Sequence, residues 1–205
     1  MSNLDGIKVT LIGDSSVGKT SIINRFCKNI FDQNLSSTLG ANYCQKIIEK
    51  DGKNIRLDLW DTAGQEKYRA IGRHFYKESH IVCLVYDITN KESFENVKSI
   101  WYPELMEHGE KLKIIGIIGN KNDRYLDESV DEKNVKEFAD EIHALYKKTS
   151  ALDNTGIDDL FDELISKYLK EIGDLMSPNA DNDRKEDKII IEKDNKKDRK
   201  KRNCC

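Results

Sequence analysis

The sequence predicts an α/β fold in which a mostly parallel sheet is covered by helices on both faces. Three observations carry this. Strand-like and helical segments alternate along the chain. Residues 81–86 and 113–118 are nearly continuous apolar runs, the pattern of strands buried on both sides. Asp51 and Gly52 form a hairpin turn signal between two further strand-like runs, so one strand pair is antiparallel.

Ile7–Ile12 (IKVTLI) is rich in branched residues and is followed by Gly13, so it reads as a strand ending at a glycine loop. Residues 19–27 read as a helix, and 42–50 with 54–61 as the hairpin strands. After the run 81–86, Thr89 and Glu92 make a capping box before a helix carrying Phe94, Val97 and Trp101. Beyond 113–118, Asp131 caps a helix holding Val135, Phe138 and Ile142. A short run, 144–146, precedes the last helix. There Ile157, Leu160, Phe161, Leu164, Tyr168 and Leu169 share one apolar face. These segments make one domain, residues 5–172. Residues 173–205 hold too little apolar surface to offset the entropy of ordering and read as a disordered tail.

Composition excludes several classes. The 205 residues carry a net charge of −3, with the negative excess in the body. A mildly acidic body argues against a nucleic-acid binder that works by neutralising phosphates. Six residues is the longest unbroken apolar run, where a membrane span needs about 20. The first residues lack the basic and apolar regions of a secretory signal, and Ser2 stands where myristoylation needs glycine. The cysteines (Cys27, Cys44, Cys83, Cys204 and Cys205) are odd in number and lack metal-type spacing, which points to a reducing compartment. Cys27 and Cys83 fall in apolar patterns and read as buried, inert thiols.

Residues 13–20 (GDSSVGKT) fit G-x-x-x-x-G-K-[ST] between a strand and a helix. Such a loop turns backbone N–H groups toward phosphate, and the helix N-terminus adds its dipole. Ser15, Ser16, Val17, Gly18, Lys19, Thr20 and Ser21 are the candidate phosphate contacts. Lys19 would reach the β- and γ-phosphates, and Thr20 would ligate Mg²⁺. Residues 60–65 (WDTAGQ) place Asp61 at a strand end, where a second acid can hold the Mg²⁺ shell. Gly64 can present an N–H to a γ-phosphate, and Gln65 can orient an attacking water. Asn120, Lys121, Asn122 and Asp123 follow the strand 113–118 directly. A carboxylate at Asp123 accepts from guanine N1–H and the exocyclic amine. Against adenine it would face a lone pair, a mismatch of roughly 1–3 kcal/mol. Ser150 and Ala151 lie where a second loop can touch the base edge.

Two cysteines, Cys204 and Cys205, follow a basic segment, 193–202, of 7 basic and 2 acidic residues. The pair is not a C-a-a-X box, because Arg202 occupies the fourth position from the end. Two lipidated cysteines beside basic residues would anchor stably, at ~0.8 kcal/mol per buried CH₂.

In this order, GDSSVGKT, WDTAGQE, NKND and TSA resemble a Ras-superfamily small GTPase, over residues 5–172. Tyr68 and Arg69, the stretch 84–89 (LVYDIT) and the Cys-Cys pair are similar to the Rab branch, whereas residues 101–104 (WYPE) look Rho-like. The resemblance implies the three-layer P-loop NTPase fold, a six-stranded sheet with one antiparallel hairpin strand, and about five helices. It implies that Thr38 ligates Mg²⁺ in the GTP state, that Phe31 packs on guanine, and that Asn120 and Lys121 brace the base pocket. Tyr43, Trp60 and Phe75 match three aromatic positions that Rabs use for effectors, although the same residues also suit plain core packing. Residues 189–191 match an apolar tail segment gripped by escort proteins.

The chain also departs from the family pattern. Ser16 replaces a frequent glycine, Asn42 and Tyr43 replace an acid and a phenylalanine, and Leu152 replaces the lysine that usually follows Ser-Ala on the base.

The implied activity is hydrolysis of GTP to GDP by Gln65 and Lys19 in a membrane-traffic switch, slow alone and accelerated by an activating partner (GAP). No arginine lies between Phe31 and Ile55 to serve in cis. The implied partners are guanine nucleotide, Mg²⁺, an exchange factor (GEF), a GAP, an escort protein or GDI, and effectors. A further one is the cytoplasmic leaflet of an intracellular membrane, reached through geranylgeranyl groups, with the chain cycling to the cytoplasm as a monomer. A poorly hydrolysing, GTP-bound membrane scaffold is the alternative.

Overall fold

The computed structural model describes residues 6–35, 38, 41–62 and 76–176, with side chains as far as 173. Gly64, Gln65, Phe75, residues 189–191, Cys204 and Cys205 lie outside the described residues. The strands are β1 (Ile7–Ile12), β2 (Ala41–Lys50), β3 (Lys53–Thr62), β4 (Ile81–Asp87), β5 (Ile114–Asn120) and β6 (Leu145–Lys148). They form one sheet in the order β2-β3-β1-β4-β5-β6, in which only β2 and β3 pair antiparallel. The described helices are α1 (Lys19–Lys28), α2 (residues 91–108), a 3₁₀ segment (Asn122–Asp127), α3 (Glu132–Glu141) and α4 (Ile157–Met176). By its contacts the chain divides into two units after Tyr168, and all six strands belong to the first.

Burial follows the sequence pattern. Every residue of β4 is buried, because helices cover both faces of the central sheet. β2, at the sheet edge, alternates between half-buried and exposed and carries Lys46 and Lys50, charges that discourage further strand pairing. On one face Val82, Leu84 and Tyr86 pack with Phe94, Val97, Trp101 and Leu105 of α2 and with Val135 and Ala139 of α3. On the other, Phe26 of α1 stacks on Phe161 of α4 with ring centroids 3.8 Å apart. Gly116 of β5 meets Leu164 of α4 and Cys83 of β4 on that side. Cys83 is fully buried, and burial pushes its thiol up to about 12. Cys27, also expected buried, is only half-buried, since its place on α1 is at the margin of the apolar face.

Two local expectations change. Thr89 does not cap α2. Its N–H and hydroxyl both donate to Asp87 Oδ1, at 2.9 and 2.8 Å, and the Asn90 side chain accepts from Ser93 N–H instead. The helix is also not a regular α-helix. Lys91–Asn96 widens into a π turn, Val97–Trp101, before continuing as Tyr102–His108. Pro103 lies just beyond. It has no N–H for the Ser99 carbonyl, and its ring would press on that carbonyl in a regular helix. Asp131 caps α3 as expected, accepting from Lys133 N–H at 3.0 Å.

Strand register sets the site. Parallel pairing aligns Leu11 with Asp61, Asp87 with Asn120 and Gly119 with Lys148. The carboxyl ends of β1, β3, β4, β5 and β6 therefore lie along one edge. The chain leaves β1 toward β2 and β3 on one side and returns to β4 on the other, which is where open α/β sheets form their ligand crevice.

Candidate functional site

The glycine loop after β1 fits tightly. Gly13 has φ +145°, and a Cβ there would sit 2.2 Å from the Val85 carbonyl oxygen. Gly18 starts α1 with φ +97°, and a Cβ there would sit 2.2 Å from Asn120 Nδ2. Only glycine fits such positions. Asn120 Nδ2 in turn donates to the Val17 carbonyl at 2.8 Å. Lys19, 5% exposed, donates its amine to the Gly13 and Asp14 carbonyls at 2.9 and 2.7 Å. Burial lowers its pKa to about 8, against the opposing pull of Asp61 and Asp14.

Three oxygens gather at the first turn of α1. Thr20 Oγ1 lies 2.7 Å from Asp61 Oδ2 and 2.9 Å from Thr38 Oγ1, and Thr38 Oγ1 lies 3.1 Å from Asp61 Oδ2. Asp61 is 1% exposed, and its other oxygen, Oδ1, is buried with no hydrogen-bond partner among the described residues. Burial raises its carboxyl above the usual range, against the hydrogen bond from Thr20, the charge of Lys19 and the hydrogen bond from Thr38. A buried carboxylate oxygen without a partner, beside two hydroxyls, is a hard-oxygen donor set of the kind that suits Mg²⁺.

A second cluster forms at the ends of β5 and β6. Asp123 Oδ1 accepts from Ser150 Oγ at 2.6 Å, and Asn120 Oδ1 accepts from Thr149 Oγ1 at 3.3 Å. Lys121, in the left-handed region at φ +68°, pairs through its amine with Asp87 Oδ2 at 2.6 Å. Burial favours the neutral acid at Asp87. The Lys121 amine and the two Thr89 donors outweigh it, so the carboxyl lies below its ordinary range. Ser150 is buried behind Asp123, Ala151 is 4% exposed, and Leu152 is exposed.

One cavity of about 450 Å³ joins the two clusters. Ser15, Ser16, Gly18, Lys19, Thr20, Ser21 and Thr38 line one part of it. Phe31, Asn120, Lys121, Asp123, Ala151 and Leu152 also line it. Val17, Asp61 and Ser150 do not, being buried beneath its surface. Tyr43 and Trp60 lie apart, on the β2–β3 hairpin, with ring centroids 5.1 Å from each other. They border a separate depression with Lys8, Gln45, Arg56 and Asp58, and the Tyr43 hydroxyl donates to Asp58 at 2.6 Å.

Sequence reasoning missed Asp32, Gln33, Leu35, Thr62 and Arg124, which also line the cavity, and two residues that brace it from outside the lining. Asp87 holds the Lys121 amine. Arg25, on α1, donates through Nε to the Ala151 carbonyl and through Nη2 to the Leu152 carbonyl, each at 2.9 Å. Asp87 carried a sequence signal, being a strand-end acid at the same level as Asn120. Arg25 carried none.

A fold of this order with a phosphate-type loop after its first strand defines the class of P-loop nucleotide-binding proteins. The Ras family profile matches residues 8–170. Ras-related protein Rab-22A of Homo sapiens is 40% identical over 158 residues, covering 77% of this chain and 81% of that protein. Ras-related protein Rab-1C of Dictyostelium discoideum is 40% identical over 164 residues, covering 80% and 81%. Ras-related protein YPTC6 of Chlamydomonas reinhardtii is 36% identical over 203 residues, covering 97% and 94%. The chain belongs to the Ras family, as a Rab-type small GTPase.

Proposed function

We propose that the chain is a GTP-hydrolysing switch in traffic between intracellular membranes, recruiting effectors only in its GTP state. The observation that carries this is the single cavity lined by Lys19, Thr20 and Thr38 as well as by Asn120, Lys121 and Asp123. One ligand bearing both a polyphosphate and a purine fits such a lining.

In this reading the loop N–H groups of 15–20 and the Lys19 amine bind the β- and γ-phosphates. Lys19 offsets charge that develops as the terminal phosphoryl leaves. Thr20, Thr38 and Asp61 hold Mg²⁺, which when bound neutralises phosphate oxygens. Asp123 accepts from guanine N1–H and the exocyclic amine, the Ser150–Ala151 loop offers N–H groups to the base edge, and Phe31 covers the ring. Gln65 orients water, and Gly64 and Thr38 release when the γ-phosphate is gone, so both loops change state. Intrinsic turnover is slow, and a partner supplying an arginine accelerates it about 10³–10⁵-fold.

Residues 5–172 act as the switch and 173–205 as the tether. Cys204 and Cys205 carry geranylgeranyl groups, and the basic segment 193–202 adds attraction to an anionic leaflet. The protein cycles as a monomer between cytoplasm and membrane with an exchange factor, an activator, an escort protein or GDI, and effectors. Tyr43, Trp60 and Phe75 face the effectors.

The test is to purify the full chain without added nucleotide, denature it and identify what it releases by ion exchange. Bound GDP is expected. An adenine nucleotide would refute the role of Asp123, and retained GTP would refute turnover.

A further inference from the structure

Asp14, the second residue of the phosphate loop, is half-buried and is not part of the cavity wall. Its carboxylate is bound on both oxygens by neutral donors from α2. Asn96 Nδ2 donates to Oδ2 at 2.7 Å, and Trp101 Nε1 donates to Oδ1 at 2.8 Å. Its main-chain carbonyl meanwhile accepts from the Lys19 amine at 2.7 Å. One loop residue therefore links a buried tryptophan on α2 to the buried lysine of the cavity.

The π turn makes this grip possible. On a regular α-helix, residues five apart stand about 140° apart around the axis, so Asn96 and Trp101 would face different ways. Here the Tyr102 N–H reaches back five residues to the Val97 carbonyl, and the widened turn brings positions five apart onto one face. Asn96 and Trp101 flank that turn, one just before it and one at its end. Trp101 is 4% exposed, so its N–H reaches Asp14 from inside the core.

We propose that Asn96 and Trp101 are positioning residues for the phosphate loop. By fixing the Asp14 carboxylate on the α2 side, they keep that negative charge out of the phosphate region. They also hold the Asp14 carbonyl against Lys19 and so set how long nucleotide stays bound. The proposal rests on the reading of the cavity as a guanine-nucleotide site. Neither residue touches ligand, and both act through Asp14.

The experiment measures release of a fluorescent GDP analogue from the full chain in Mg²⁺, chased with excess GDP. Trp101→Phe keeps the ring and loses the N–H. Asn96→Asp sets a carboxylate against a carboxylate and, at a half-buried position, is the milder risk to folding. Each is expected to speed release about tenfold or more, since a hydrogen bond to a charged group is worth at least a decade in an equilibrium. Exchanging the two side chains, Asp14→Asn with Asn96→Asp, restores an amide–carboxylate pair and is expected to return release most of the way to wild type. A purely structural role would not show this rescue, and melting temperature is followed beside it. The proposal is overturned if folded Trp101→Phe and Asn96→Asp both release at the wild-type rate, or if the exchange fails to rescue. A wild-type chain that takes up no guanine nucleotide would overturn the reading of the cavity, and this proposal with it.

Discussion

Replacing Arg25 by methionine isolates what holds the base-edge loop. The methionine keeps most of the apolar stem and removes every donor. Lost are two hydrogen bonds at 2.9 Å, one part-buried to the Ala151 carbonyl and one exposed to the Leu152 carbonyl, together with exposed contacts to Asn29. A buried hydrogen bond from a charged donor is worth about 1.5–3 kcal/mol and an exposed one much less, so the pair contributes about 2 kcal/mol. That corresponds to about a 30-fold change in an equilibrium. The loop bears on ligand directly, because Ala151 and Leu152 line the cavity and Ser150 holds Asp123. Release of fluorescent GDP in Mg²⁺ should quicken by about that factor in Arg25→Met. Arg25→Lys, which keeps the charge but not the fork, should fall between. Unchanged release from a folded Arg25→Met chain would refute the reasoning.

Four further outcomes are expected. Asp87 has a folded pKa below its ordinary 3.8, so the stability it gives is present above about pH 4 and is lost as pH falls through the folded value. The melting temperature of Asp87→Asn should therefore fall less between pH 5 and pH 3 than that of wild type, and parallel curves would contradict this. Ser16 sits at φ +64°, where a side chain costs about 1–2 kcal/mol, so Ser16→Gly should stabilise the nucleotide-free chain by up to about 1 kcal/mol in denaturant titration. Gln65→Leu should slow single-turnover GTP hydrolysis while nucleotide binding persists, and a wild-type rate would remove the water-orienting role. Cys204→Ser with Cys205→Ser should abolish sedimentation of the chain with membranes from cells, whereas either change alone should weaken it, because two lipid chains hold where one is marginal.

What could be read from the sequence divides by range. The all-buried β4 announced itself as an apolar run, and Asp131 capped α3 as its spacing required, because these outcomes depend on a few adjacent residues. The phosphate loop and residues 120–123 are likewise contiguous. Thr89 went astray within the same short range, since the Asp87 carboxylate two residues away took its hydroxyl and left capping to Asn90. The π turn has no period of its own over five residues, and Pro103 was its only local sign. Arg25 reaches carbonyls 126 and 127 residues away, and backbone oxygens carry no side-chain identity in the sequence. The Asn96 and Trp101 contacts to Asp14 span 82 and 87 residues.

These long-range contacts share a direction. Asn120 grips the loop at Val17, the α2 pair grips it at Asp14, and Arg25 grips the base-edge loop from α1. None of these side chains is in the loop that it holds. A loop that must expose backbone N–H groups to a ligand cannot satisfy itself by secondary structure, so its shape has to be imposed from outside. Supports on separate elements also mean that each loop can be released without unfolding the sheet. A switch of this family has to let nucleotide go and stay folded, and that argues for placing the restraints on α1, α2 and β5 rather than within the loops.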